Sequence, residues 1–306
     1  MESQPSREKN RAALKSVVAA LFLTGLKIVV GLASGSLGIL AEAAHSGLDC
    51  AAAIGTLIAV RFAARPADPD HAYGHGKVEN LSALAETLLL LVTCGWIVAE
   101  SVKRLAASEA RVDASVWTFA VMTVSIVVDV SRSRMLYGVA ARHRSQALEA
   151  DALHFSADVW SSAVVIFGLA GVKLAQWFPV LHAMQKADAV AALLVAGIVV
   201  FISGRLGVRT VQSLLDASPA GAAERIKARV EALDGVFDCH AVRVRHSGPQ
   251  YFVDLHITLD RDLPLHTAHE LTERVEQAVS EILPEADVTV HPEPRPEPPP
   301  VGSGGG

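Results

Sequence analysis

Cysteine is scarce in this chain of 306 residues. Cys50, Cys94 and Cys239 fit no CxxC spacing and suggest no disulfide framework. The HExxH sequence of a zinc protease is also missing, which argues against an intramembrane enzyme of that type. The N-terminus, MESQPSREKNR, lacks the basic start, apolar core and small-residue cleavage site of a signal peptide, so we expect it to be retained.

The chain also has no excess of positive charge. The formal net charge is −5, which argues against a nucleic-acid partner. By contrast, 51% of the residues are hydrophobic, only 19% are charged, and the mean hydropathy is +0.35. This composition is too apolar for an ordinary soluble domain and too often interrupted by charge for a single membrane anchor. It predicts a polytopic membrane protein.

Six apolar segments are long enough to cross a bilayer, which takes about 20 residues of helix. They lie at roughly 12–34, 38–62, 80–103, 113–136, 152–176 and 187–206. Lys and Arg are concentrated in the segments on the same side as the N-terminus and are sparse on the other side. The positive-inside rule therefore puts both termini in the cytoplasm. We expect a cytoplasmic segment at 1–11 and a six-helix transmembrane domain at 12–210.

The chain changes character after about residue 210. AAERIKARVEAL and HTAHELTERVEQAVSEIL have the spacing of amphipathic helices, whereas CHAVRVRHS, QYFVDLHITLD and ADVTVH read as strands. The order α-β-β-α-β predicts a small α+β domain of metallochaperone type at 211–292, which would be cytoplasmic. The remainder, 293–306, is rich in Pro and Gly and is predicted to be disordered.

One motif occurs in two of the apolar segments. EAAHSGLD in the second segment and DALHFSAD in the fifth each place an Asp four residues after a His. The pairs are His45 with Asp49 and His154 with Asp158, and each pair shares one helix face with about 6 Å between its members along the axis. Ionisable groups in such segments are costly and usually mark an ion pathway or a buried site.

Together the two pairs offer two imidazole nitrogens and two carboxylate oxygens, which is enough for one tetrahedral Zn²⁺. The alternative is that the four side chains only hydrogen-bond to one another between helices. Because protons compete with a metal for these ligands, the same residues are suited to couple metal binding to protons.

Two further groups of residues are candidates for metal binding. RPADPDHAYGHGKVEN, a predicted cytoplasmic loop, carries Asp68, His71 and His75, although a solvated polar loop would look similar. The predicted α+β domain is unusually rich in histidine, and a metal site across its sheet and helix could bridge two subunits. Its candidate ligands are His240, His256, His269, His291 and Glu293.

These features together resemble the cation diffusion facilitators. The resemblance covers about residues 10–293 and rests on the six spans, the two pairs, the D-x-x-H-x-x-G-H-x-K-x-E loop and the αββαβ tail. It implies a homodimeric metal/proton antiporter, not an enzyme, in the inner (plasma) membrane of the cell. The implied cargo is a divalent metal ion, and H⁺ is the implied coupling ion.

The resemblance also implies roles for individual residues. His45, Asp49, His154 and Asp158 match the intramembrane transport site, and two His with two Asp resemble its zinc-selective form. The loop residues match a second site, and the histidines of the tail domain match a regulatory Zn²⁺ site, with Glu293 where the family has Asp. Lys77 and Asp216 match a charge interlock between protomers.

Three alternatives remain open at this stage. The same fold could carry another divalent metal, such as Cd²⁺, Co²⁺, Fe²⁺ or Mn²⁺, or it could act as a metal sensor or scaffold without transport. A membrane di-iron enzyme is a third, since Glu42 precedes His45 by three residues and Glu86 and Glu100 could add carboxylates. Di-iron proteins of that kind have Glu three residues before His, whereas the fifth segment has Asp151 at this position.

Overall fold

The computed structural model describes residues 4–106, 116–177 and 187–296. The chain forms two compact units, Met1–Leu214 and Leu215–Gly306. In the described part of the first unit, the helices are α1 (Gln4–Ser34), α2 (Leu37–Ala63), α3 (Lys77–Ala106), α4 (Val116–His143), α5 (Gln146–Trp177) and α6 (Ala187–Leu214). In the second, the elements are α7 (Ala222–Glu231), β1 (Asp238–Ser247), β2 (Gln250–Leu259), α8 (Leu265–Ile282) and β3 (Asp287–Pro294).

The first unit is a membrane-type helical domain. Helices α1, α2, α3, α4 and α6 are each long and apolar enough to cross a membrane. Helix α5 has 32 residues and carries its acidic residues and its histidine in its first half. Several helices run past the predicted apolar spans; α1 begins at Gln4 and α4 ends at His143, because helical hydrogen bonding continues into the polar segments. Positions 113–115 of the predicted fourth span lie outside the described residues.

Small residues let these helices pack closely. Helix α1 packs mainly on α2 and α4, α3 on α6, and α4 on α5. Ala13, Ala53 and Ala147 are fully buried in one cluster together with Leu136 and Phe155. In a bilayer the packing of small side chains replaces the hydrophobic effect as a main source of helix association. This cluster lies along α5 next to His154, so it fixes the position of that histidine.

A tight turn sets the start of α2. Gly35 has a φ of +65°, which favours glycine, and the Ser36 side chain caps α2 by accepting a hydrogen bond from the Ile39 backbone N–H. A Cβ on Gly31 would lie 2.8 Å from Leu40 Cδ2, so the last turn of α1 touches the first turn of α2. The turn therefore fixes the position of α2 against α1 one turn before His45.

Buried polar side chains join the helices near their predicted cytoplasmic ends. Lys9 on α1 makes a buried ion pair with Glu79 on α3, and Glu79 also accepts a hydrogen bond from Ser145, just before α5. Asn80 donates to the Gln146 side chain at 2.8 Å. These contacts tie α1, α3 and α5 together at one end of the bundle.

The second unit is the α+β domain that the sequence predicts. Its elements follow the order α-β-β-α-β, and its sheet has the order β1-β2-β3, with β1 antiparallel and β3 parallel to β2. The apolar faces of α7 and α8 cover the sheet, and Ile226, Val230, Leu255, Ile257 and Val275 are fully buried between them. The predicted fold class, a polytopic helical membrane domain followed by an αββαβ domain, is confirmed.

Strand β3 extends further than the sequence predicts. Thr258 pairs with Glu293 and Leu259 with Pro294, so the strand includes two residues of the segment 293–306 that is predicted to be disordered. The ladder continues because the Arg295 backbone N–H also bonds to the Leu259 carbonyl at 2.9 Å. Residues 297–306 of that segment lie outside the described residues.

Candidate metal centres

The two His/Asp pairs meet between α2 and α5. His154 Nε2 lies 3.1 Å from Asp49 Oδ1 and 3.6 Å from Asp158 Oδ2. His45 Nε2 lies 3.9 Å from both Asp49 Oδ1 and Asp158 Oδ1. We call these four side chains the central cluster.

The spacing within the central cluster fits a metal site. A tetrahedral metal with bonds of about 2.0–2.1 Å separates its ligand atoms by about 3.4 Å. The four ring-nitrogen to carboxylate-oxygen separations, 3.1, 3.6, 3.9 and 3.9 Å, lie on either side of that value. His45, Asp49 and Asp158 each offer a ligand atom within 4.8 Å of the other two, and His154 contacts both carboxylates from the buried side.

The central cluster is open on one side. The exposed fraction of the side chain is 3% for His154, 11% for Asp49, 20% for Asp158 and 38% for His45. His154 is enclosed by the packed interior, whereas His45 forms the accessible edge. His45 is therefore the most exposed of the four side chains, and His154 the most buried.

The acids that precede the two histidines by three residues do not join the cluster. Asp151 accepts a hydrogen bond from Ser16 at 2.9 Å, and Ser16 accepts one from the Arg132 side chain at 2.6 Å. Glu42 lies 3.3 Å from the ammonium group of Lys27. The sequence analysis missed Lys27, although a lone Lys inside the apolar run of α1 was a usable signal.

The di-iron alternative receives no geometric support. Glu86 accepts a hydrogen bond from the Thr56 hydroxyl on α2 and belongs to none of the metal-capable groups found among the described residues. The side chain of Glu100 lies outside the described part of the chain.

The loop before α3 forms a second compact group. Asp68 Oδ1 lies 3.0 Å from His71 Nδ1, and Asp68 Oδ2 lies 3.2 Å from His75 Nε2. The backbone N–H groups of Asp70 and His71 donate to the same Asp68 carboxylate, and Gly74 turns the chain with a φ of +72°. Desolvation opposes the shift, but the hydrogen bonds from His71 outweigh it and lower the pKa of Asp68. These contacts preform one carboxylate and two imidazoles for a cation.

The third group lies on one face of the sheet. His240, His256 and His291 are cross-strand neighbours on β1, β2 and β3. The Glu293 carboxylate lies 2.9 Å from His256 Nδ1, 3.3 Å from His240 Nε2 and 3.8 Å from His291 Nε2. The hydrogen bond with His256, opposed by desolvation and aided by the charges of the three imidazoles, lowers the pKa of Glu293. The group can offer three nitrogens and one carboxylate.

His269 is not brought to this group within the chain. It lies on α8 with 72% of its side chain exposed, and its Nε2 is 3.6 Å from Glu273 on the same helix. Its predicted role as a ligand stays a prediction. The sequence analysis also missed Asp238, whose Oδ2 lies 2.8 Å from His240 Nδ1 and can orient that ring.

The predicted interlock residues make contacts inside their own units. Lys77, the first residue of α3, donates to the Leu214 carbonyl at 3.3 Å. Asp216 has a φ of +58° and lies 3.9 Å from Arg245 Nη1. Their pairing between protomers stays a prediction.

Comparison with known proteins identifies the family. A model of the cation efflux transmembrane domain matches residues 13–215, and a model of the cation efflux protein cytoplasmic domain matches residues 219–295. The chain belongs to the cation efflux family. The resemblance to the cation diffusion facilitators is thereby confirmed, and the protein is membrane-embedded.

Relatives within the cation efflux family match over nearly the whole chain. The cation-efflux pump FieF of Serratia proteamaculans is 35% identical over 295 residues, which is 96% of this chain and 95% of the relative. FieF of Yersinia enterocolitica is 33% identical over 297 residues, with the same two shares. A solved structure, the metal-bound C-terminal domain of the CzcD transporter from Thermotoga maritima, is 32% identical, covers 24% of this chain and 86% of its own, and gives a TM-score of 0.23.

The geometry around His240 predicts a role for Asp238. Replacing Asp238 with Asn is expected to weaken Zn²⁺ binding at the sheet group by about tenfold to a hundredfold, the usual cost of losing a partner that orients a ligating imidazole. Calorimetric titration of the full chain with Zn²⁺ measures this. His246→Ala is the matched control, since His246 also lies on β1 but its ring contacts the Gly248 carbonyl instead. Equal affinities for the Asp238→Asn and parent chains would contradict the prediction.

Proposed function

We propose that this protein exports divalent metal ions from the cytoplasm, Zn²⁺ foremost, in exchange for protons. It would act as a homodimer in the inner (plasma) membrane, with both termini in the cytoplasm. The observation that supports the proposal is the central cluster, in which imidazole nitrogens and carboxylate oxygens from α2 and α5 lie 3.1 to 3.9 Å apart. The relatives are cation-efflux pumps, which agrees with the proposed direction of transport.

The chemistry of the cluster links the metal to protons. Imidazole and carboxylate groups bind a metal only when deprotonated, so protons and Zn²⁺ compete for the same atoms. In the proposed cycle, cytoplasmic Zn²⁺ enters an inward-open cleft and binds His45, Asp49, His154 and Asp158. The helices then rock, the cluster faces the other side, and protons displace the metal. The protons return to the cytoplasm and supply the driving force.

The ligand set favours zinc over harder ions. Zn²⁺ is commonly held by a tetrahedron of nitrogen and oxygen or sulfur ligands, whereas Mn²⁺ favours oxygen-rich sites with more ligands. His45 contributes the second nitrogen and forms the accessible edge of the cluster. We therefore infer that His45 contributes most to the choice of metal.

The other two groups would serve regulation. Zn²⁺ at the group of His240, His256, His291 and Glu293 would bias the conformation of the dimer, and His269 of a partner subunit could complete it. The group of Asp68, His71 and His75 would bind Zn²⁺ from the cytoplasm. The pairing of Lys77 with Asp216 between protomers would hold the dimer together near the membrane surface.

Flux measurements test the proposed function. Proteoliposomes that contain a Zn²⁺-sensitive dye and a proton gradient, with the interior acidic, should accumulate Zn²⁺, and an ionophore that collapses the gradient should stop the uptake. Parallel assays with Cd²⁺, Co²⁺, Mn²⁺ and Fe²⁺ establish the selectivity. A chain that binds Zn²⁺ but gives no gradient-dependent uptake would be a sensor or scaffold instead.

Replacing His45 with Asp should change the metal preference. The exchange leaves one nitrogen and three carboxylates, so we expect the ratio of Zn²⁺ flux to Mn²⁺ flux to fall by about tenfold or more. His246→Asp, a change at a histidine outside the three groups, serves as the control. An unchanged ratio in His45→Asp would contradict the proposed role of His45.

A further inference from the structure

We propose that Lys27 sets the affinity of the central cluster, as a buried ammonium ion that weakens the binding of a dication and so allows its release. The inference rests on the proposed function, because it concerns the same site. Lys27 touches none of the four ligands, so its proposed role is electrostatic.

Lys27 is built into the interface of α1 and α2. The residue is buried, and its ammonium group donates to Ser46 Oγ at 2.7 Å and lies 3.3 Å from Glu42 Oε2. Thr24, one turn earlier on α1, donates to the Ser46 carbonyl at 3.0 Å. Ser46 directly follows His45 and precedes Asp49 by three residues, so the ammonium group is held beside the turn of α2 that carries two of the ligands.

The charge of Lys27 is only partly neutralised. Among the described residues its ion-pair partner is Glu42, whose side chain is 46% exposed, and water weakens that pairing. The ammonium group also interacts electrostatically with Asp158 in the cluster and with Asp129 on α4. Arg132 on α4 and the carboxylate of Asp49 also lie near Asp129. Lys27 is therefore a fixed positive charge on the α1 side of the metal position.

Such a charge has a direct effect on metal affinity. A zinc site closed by four protein ligands is typical of structural sites, which retain their metal. A transport site must release its ion in each cycle. Coulomb repulsion between an ammonium ion and a dication is strong in a partly buried setting and raises the dissociation constant without removing a ligand. Glu42 opposes this repulsion, so Lys27 and Glu42 should shift the affinity in opposite directions.

Zinc titrations of the full-length protein in detergent test this inference. The Asp49→Ala chain gives the Zn²⁺ binding of the loop and sheet groups, which is subtracted from that of the other chains. Lys27→Met is expected to tighten Zn²⁺ binding at the central cluster by about tenfold, and in proteoliposomes both KM and kcat should fall because release slows. Lys27→Arg should restore parent-like values. Glu42→Gln should weaken binding by a few-fold to tenfold. Lys15→Met, the same exchange at an exposed position of α1, is the matched control.

The direction of the change separates this role from a structural one. Damage to the α1–α2 interface would weaken binding, so weaker or unchanged binding in Lys27→Met overturns the inference. Should Lys27→Met fail to fold, tighter or unchanged binding in Glu42→Gln, which alters a half-exposed side chain, overturns it as well. If the parent and Asp49→Ala chains titrate identically, the cluster binds no metal and the proposed function and this inference both fail. If the Asp49→Ala result agrees with expectation and only the Lys27 and Glu42 variants do not, this inference fails and the proposed function stands.

Discussion

Zinc flux should fall by about a hundredfold or more when Asp49 is replaced by alanine. Asp49 Oδ1 faces both imidazoles, at 3.1 Å from His154 Nε2 and 3.9 Å from His45 Nε2. Loss of this carboxylate removes one of the four proposed ligands and one negative charge from the proposed metal site. Changes to groups that only orient ligands cost about tenfold to a hundredfold, so the loss of a ligand should reach at least the upper end of that range. Proton-driven Zn²⁺ uptake into proteoliposomes is the measurement.

Asp129→Ala is the matched control for that experiment. Asp129 is also a buried carboxylate of the helical domain, but it lies on α4 and belongs to none of the metal-capable groups found among the described residues. Its replacement should reduce flux by less than about tenfold, because tenfold is the lower end of the loss seen for groups that orient a metal ligand. Comparable losses in the two variants would mean that buried negative charge in general, and not the ligand position of Asp49, supports transport.

The local patterns of the sequence were sufficient to predict the helical spans and the central cluster. A His and an Asp four residues apart on a helix share one face, so each pair can be predicted without knowledge of the tertiary structure. The occurrence of two such pairs in apolar segments then indicated that α2 and α5 face each other, because isolated ionisable groups are costly there. The alternation of apolar residues fixed the order of the αββαβ domain for the same reason, since strand and helix periods are local properties.

Other features depend on packing that no local pattern reports. Asp151 and Glu42 occupy equivalent positions in the two motifs, yet one is held by Ser16 and the other lies beside Lys27. Both partners come from α1. Ser16 is 135 positions from Asp151 and Lys27 is 15 positions from Glu42, and sequence spacing does not specify such contacts. His269 is a second example. Its place on a helix could be predicted from the sequence, but its position apart from the other three histidines could not.

The affinity of the central cluster follows from this arrangement as much as from its ligands. Two carboxylates attract a dication, and the charges that surround them determine how readily it leaves. Arg132 lies within reach of Asp151 through Ser16, and its guanidinium carbon is 3.3 Å from the centre of the Phe155 ring. Lys27 approaches from the side of Glu42. The helical domain thus combines the proposed metal site with fixed cations that are not among its candidate ligands.

The largest loss of stability is expected from breaking the buried pair of Lys9 and Glu79. Both side chains are almost completely buried, and Glu79 also accepts the hydrogen bond from Ser145. Glu79→Gln leaves the Lys9 ammonium group without its countercharge, and removal of one partner of a buried ion pair costs about 3–5 kcal/mol. Unfolding of the purified protein by SDS in mixed micelles, followed by circular dichroism, measures the change in free energy.

Two further variants show whether burial is the cause. The double variant Lys9→Met/Glu79→Leu removes both charges, so it should regain most of the stability that Glu79→Gln loses, because apolar replacement of a whole buried pair is often neutral or stabilising. Arg209→Met breaks the pair of Arg209 with Glu149, in which half of the arginine side chain is exposed, and should cost no more than about 1 kcal/mol. A double variant as unstable as Glu79→Gln would show that the hydrogen bond to Ser145, rather than the uncompensated charge of Lys9, accounts for the loss.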